Sequence, residues 1–139
     1  MWWIYALFSA FFAALTAILA KVGVKGVDSD LATAIRTSVI LVLAWGIAYF
    51  RGGTQHLTTL SRTNLLFLGL SGIATGLSWV CYFRALQLGE VSQVAPVDKL
   101  SVALAIGLSV VFLGEKLTIQ TAIGAGLILA GTLVLVLWK

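Results

Sequence analysis

The chain has 139 residues, 60% of them apolar, and a mean hydropathy of +1.07. Only nine basic and five acidic residues carry formal charge, for a net charge of +4. Soluble domains carry about a quarter charged residues, and disordered chains are poor in apolar ones, so both classes are excluded.

A helix needs roughly 20 apolar residues to cross a hydrocarbon core about 30 Å thick. The first such run extends from about Trp2 to Ala20 without a charge, and Lys21, Lys25, Asp28 and Asp30 close it. Its length, the lack of a preceding basic residue and the lack of a small-residue cleavage site argue against a signal peptide. The second runs from about Leu31 to Phe50 and contains only Arg36; the polar stretch Thr54 to Asn64 follows as the longest loop. The third covers about Leu65 to Leu88 with Arg84 near its end. The fourth covers about Val91 to Leu113 and holds Pro96, Asp98 and Lys99; the fifth covers Ile119 to Trp138. The expectation is an all-α, polytopic membrane protein: one transmembrane domain, residues 1–139, five helices and no soluble domain. Trp2, Trp3 and Trp138 fit interface anchors.

With five spans the two ends lie on opposite sides, here side A (holding Met1) and side B. Lysines and arginines in short loops orient such proteins. Side A holds Arg51, Arg62 and Lys116. Side B holds Lys21, Lys25 and Lys139, plus Arg84 if it reaches the interface. That near tie predicts insertion in both orientations and head-to-tail pairing of two copies.

A charge inside a span costs about 2.5–3.5 kcal/mol on insertion scales. Arg36, Arg84, Asp98 and Lys99 all fall within roughly 12 Å of side B at 1.5 Å per residue. They are the candidate substrate-binding cluster, with Trp79 and Tyr82 (i, i+3) as an aromatic wall. A structural alternative pairs Arg36 with Asp98 and lets Arg84 and Lys99 snorkel to headgroups. Pro96 either kinks the fourth helix, freeing the Ser92 carbonyl, or starts it, making Asp98 a first-turn carboxylate. As neighbours about 100° apart on a helix, Asp98 and Lys99 are not expected to pair with each other. Asp98 is the only carboxylate deep enough to carry a coupling proton; adjacent cations favour its ionised form, in which it orients Arg36. The cluster's formal excess, three cations against one anion, favours a substrate bearing a carboxylate or phosphate over lipophilic cations.

Small residues mark the helix interfaces. Gly69, Gly72 and Gly76 on the third span fit ordinary close packing. On the fifth, Gly124 and Gly131 share a face, with the Ala122, Gly126 and Ala130 stripe beside them, and this groove is assigned to a second copy. No catalytic constellation is present: His56 is the single histidine, Cys81 the single cysteine, and no metal or phosphate motif occurs. No enzyme activity, metal or cofactor is expected. The scattered charges behind the pI near 9.6 make no nucleic-acid patch.

The stretch Ala85-Leu86-Gln87-Leu88-Gly89-Glu90-Val91-Ser92-Gln93-Val94-Ala95-Pro96 resembles the third-to-fourth helix junction of the EamA family, in the drug/metabolite transporter superfamily. Phe112-Leu113-Gly114-Glu115-Lys116-Leu117-Thr118 is similar to that family's Gly-Glu turn before the last helix. Gly124 to Gly131 resembles the dimerisation helix of the small multidrug resistance proteins. Typical EamA members carry two inverted five-span repeats, so the resemblance implies an antiparallel homodimer in the plasma or inner cell membrane. It implies a secondary carrier or facilitator of a small organic metabolite, amino-acid-like or anionic, working by alternating access. The alternative is a non-transporting assembly subunit, or a half-transporter needing a different partner chain. One departure stands out. Small multidrug resistance proteins keep a proton-exchanging glutamate in the first helix, where this chain offers only Ser9 and Thr16.

Overall fold

A computed structural model describes residues 1–137; Trp138 and Lys139, the terminal anchor and one side-B cation, lie outside the described residues. Helix α1 spans Trp2–Gly23, α2 Ser29–Phe50, α3 Arg62–Leu88, α4 Val91–Asp98, α5 Leu100–Leu113 and α6 Ile119–Leu137. A short 3-10 helix, Gly53–Thr59, sits in the long loop and packs on α2. With α4 and α5 taken as one crossing, five helical spans are long and apolar enough to traverse a bilayer. At most 11% of the most apolar window of any span is buried, so most of their surface remains for lipid or partners.

Helices α1, α4 and α6 start where the apolar runs do, at Trp2, Val91 and Ile119, whereas α2 and α3 start two or three residues earlier. Hydropathy marks where side chains turn apolar, but a helix starts where its orphan N–H groups find an acceptor. Asp28 Oδ1 accepts from the backbone N–H groups of Asp30 and Leu31, both at 3.0 Å, so α2 begins at Ser29 rather than Leu31. Ser61 Oγ accepts from the Asn64 N–H at 3.1 Å, which starts α3 at Arg62. Thr118 Oγ1 accepts from the Thr121 N–H at 3.2 Å ahead of α6. At the far end of α5 the chain turns through Gly114 at φ 67°, left-handed backbone that a side chain would strain.

The chain folds as two compact units. In Leu19–Gln87, the buried apolar residues are Ala20, Val24, Phe83 and Leu86, all near side B. Two polar ties fasten the α1–α2 turn to the end of α3. Lys21 Nζ donates to the Leu86 carbonyl at 2.5 Å, and Gln87 Nε2 donates to the carbonyls of Val27 (2.6 Å) and Val24 (3.3 Å).

The other unit joins Met1–Ile18 to the segment from Leu88 onward. Here α6 packs on α4 and α5. Pro96 is the sixth residue of α4, which Glu90 precedes as N-cap, so the proline is internal and Asp98 ends the helix instead of opening it. The break falls at Lys99, whose N–H reaches back to the carbonyls of Pro96 (3.0 Å) and Ala95 (3.3 Å). Thr132, buried on α6, has its hydroxyl 2.8 Å from the Ile128 carbonyl and 3.3 Å from that of Pro96, a tie to the broken helix. Interhelical bonds of this kind contribute about 1 kcal/mol. Thr132→Val keeps the volume and removes the donor, so thermal unfolding in detergent should shift down by a few degrees. An unchanged midpoint would show that the hydroxyl serves only Ile128.

Candidate substrate-binding site

Arg36 lies about 10 Å along α2 from its side-B end. Its guanidinium rests over the Trp79 ring, 4.3 Å from the centroid, and 5.3 Å from the centroid of Phe83. Trp79 and Phe83 are i, i+4 on α3 and so share one face of that helix. Tyr82, half-buried on the same helix, interacts electrostatically with Arg36. A guanidinium over a ring gains about 0.5–2 kcal/mol, so two rings offset much of the 2.5–3.5 kcal/mol that the charge costs in a span. The stacking covers a face of the guanidinium and leaves the N–H edges, the part that binds a carboxylate with two parallel hydrogen bonds. No hydrogen bond or ion pair of Arg36 occurs among the described residues.

Phe83 escaped the sequence reading, which paired Trp79 with Tyr82. The i, i+4 spacing from Trp79 was the available signal. Gln87 escaped as well. Arg84 Nη1 donates to Gln87 Oε1 at 3.0 Å, and the Gln87 amide is itself held by the Val24 and Val27 carbonyls. Arg84, exposed near the end of α3, is thus linked through Gln87 to the α1–α2 turn.

Asp98 and Lys99 belong to the other unit, and there the expectation against their pairing fails: Lys99 Nζ lies 3.2 Å from Asp98 Oδ2. The 100° separation assumed an unbroken helix. Because the chain leaves the helix at Lys99 (φ −72°, ψ −8°), the long lysine stem folds back onto its neighbour. The pair compensates itself, and both side chains are at least a third exposed, so it is worth little to stability. Arg36 has no carboxylate or hydrogen-bond partner among the described residues, and Arg84 is held by the neutral Gln87 amide.

On α6, Thr121, Gly124, Ala125 and Thr132 are shielded, while Gly131, Ala122, Gly126 and Ala130 are exposed. A Cβ built on Gly124, Gly126 or Gly131 would meet nothing within 4 Å, and the same holds for Gly69, Gly72 and Gly76 on α3. At 100° per residue, the Gly124/Gly131 face and the Ala122/Gly126/Ala130 face lie about 150° apart, on opposite flanks of α6 rather than beside each other. In α1 the Thr16 hydroxyl is spent on its own helix, donating to the Phe12 carbonyl at 2.8 Å.

Comparison with known proteins agrees with this architecture. The profile of the EamA-like transporter family matches residues 1–137. A protein of Sinorhizobium sp. named "Uncharacterized transporter in cobO 3'region" is 50% identical over 134 residues, 96% of this chain and 95% of the relative. No solved structure matches the chain. With a family match across the five spans and a relative half identical over nearly its whole length, the chain belongs to the EamA-like transporter family of the drug/metabolite transporter superfamily, as a multi-pass membrane transporter rather than an enzyme.

Proposed function

We propose that this chain is a secondary carrier or facilitator of a small amino-acid-like or anionic metabolite, acting in the plasma or inner cell membrane. The observation that carries this reading is the Arg36 guanidinium, seated on Trp79 and Phe83 inside a span with its N–H edges unpaired among the described residues. Such a group attracts a carboxylate or phosphate and repels lipophilic cations. Arg84, Asp98, Lys99, Trp79 and Tyr82 complete the proposed substrate site, and Pro96 supplies the discontinuity in the fourth span. Two copies in opposite orientation provide the alternating access, meeting through the small-residue faces of α6, whose glycines have open space beside them. The first helix holds no carboxylate, which argues against the proton/cation exchange of small multidrug resistance proteins.

The test is solute flux in liposomes containing this chain alone, run against a panel of amino acids, organic acids and lipophilic cations. Uptake of a carboxylate-bearing solute is expected. Flux that appears only with a second five-span chain would favour the half-transporter reading, and vigorous uptake of a lipophilic cation would sink the anionic one. Orientation gives an independent check. A cysteine at Ser61, in a chain with Cys81→Ala, should be labelled from both sides of the membrane. Labelling from one side alone would rule out dual insertion. Three lysines added to one side should bias insertion and lower flux if opposed pairs are the working unit.

A further inference from the structure

We propose a second recognition site at the side-B mouth of the Leu19–Gln87 unit, built for a zwitterion whose ammonium and carboxylate lie a few ångströms apart. A basin of about 620 Å³ opens there, lined by Asp28, Ser29, Asp30, Val80, Cys81 and Arg84. The two carboxylates come from the turn before α2 and its first turn, and the guanidinium comes from α3, so opposite charges stand on different walls. They have not collapsed onto one another: the ion pair found among the described residues is Lys99–Asp98, elsewhere in the chain.

Each wall is held in place. Asp28 Oδ1 is fixed by the Asp30 and Leu31 N–H groups, and the Ser29 hydroxyl donates to Asp30 Oδ1 at 3.4 Å. Arg84 is oriented by Gln87, which is tied to the Val24 and Val27 carbonyls. Charges fixed apart in this way favour a ligand that brings both complementary charges at once, because a lone ammonium or carboxylate satisfies one wall and is repelled by the other. Between the walls Val80 and Cys81 present apolar surface, which suits an amino acid with an apolar side chain. A phosphatidylethanolamine headgroup, with its ammonium and phosphate, offers the same chemistry at interfacial depth. The inference rests on the transporter reading for its choice of a transported solute. It shares Arg84 with the substrate site proposed above and differs in its acidic wall, Asp28 and Asp30, and in that Arg36 takes no part.

Cys81 is the single cysteine, is exposed and lines the basin, so its alkylation by a maleimide reports occupancy without any flux measurement. In phosphatidylcholine nanodiscs, L-leucine should slow the reaction saturably, by about fivefold or more. Leucine methyl ester lacks the carboxylate and N-acetyl-leucine lacks the ammonium, so neither should protect. Asp30→Asn and Arg84→Gln should each abolish protection. Asp28→Asn, which keeps a helix cap, should weaken it. Arg36→Gln should leave protection intact even where it abolishes transport. Slower labelling in discs containing phosphatidylethanolamine, reversed by Arg84→Gln, would assign the same site to the lipid headgroup. Three results would each overturn the proposal: no protection by leucine or phosphatidylethanolamine, equal protection by N-acetyl-leucine, or protection lost with Arg36→Gln but kept in the Asp30 and Arg84 variants.

Discussion

Arg36→Gln is expected to abolish solute flux in liposomes, a loss of about a hundredfold or more, while the protein still inserts and folds. The size follows from what is removed: a charge-assisted, two-pronged contact is worth roughly 3 kcal/mol where water is scarce, and every tenfold in rate corresponds to about 1.4 kcal/mol. Glutamine can still lie on the Trp79 ring, so the packing of α2 near α3 should survive. Arg36→Lys separates charge from shape. It keeps the cation, but an ammonium cannot stack flat or bind a carboxylate with two parallel bonds, so flux should stay well below wild type. Asp98→Asn should impair transport less, because its partner is Lys99 and the lost charge frees that ammonium. Any dependence of flux on a pH gradient should persist in Asp98→Asn. Full activity of Arg36→Gln would show that the substrate binds elsewhere.

Gly124→Leu and Gly131→Leu are expected to reduce the crosslinked dimer about tenfold or more, leaving monomer in the membrane. A Cβ at either position meets nothing among the described residues within 4 Å, so the first atom of the added side chain is accommodated. Its effect falls on whatever packs there from outside, where small residues let two backbones approach. Crosslinking in lipid that matches the wild type would mean this face looks onto lipid. The same substitution at Gly126 tests the opposite flank of α6, and the two flanks need not respond alike.

The helices were legible because a bilayer imposes length and hydropathy on them and little else. The first residues of α2 and α3 were not, since Asp28 and Ser61 decide those by capping. The discontinuity in the fourth span was legible from Pro96, but its position three residues further on, at Lys99, depends on where the last carbonyls find donors. Arg36 stood out as a charge within an apolar run. Its seat on Phe83 did not, because which α3 residue meets which α2 residue is a tertiary fact with no local trace. The Asp98–Lys99 pair was misjudged for a related reason: angular spacing on an ideal helix says nothing once the helix has ended. Gln87 and Thr132, polar residues near helix ends, read as unremarkable until their partners, backbone carbonyls of other elements, are in view.

The odd number of spans has a consequence for how such a molecule can be enlarged. If a second copy is joined head to tail through a short soluble linker, it begins on the side where the first ended and so threads the bilayer upside down. Duplication and fusion of a five-span gene therefore yields an inverted repeat in one step, without any redesign of loop charges. Each half of the fused product is locked in one orientation, and its loop charges are then free to drift. Inserting one additional crossing into that linker would force both halves to point the same way.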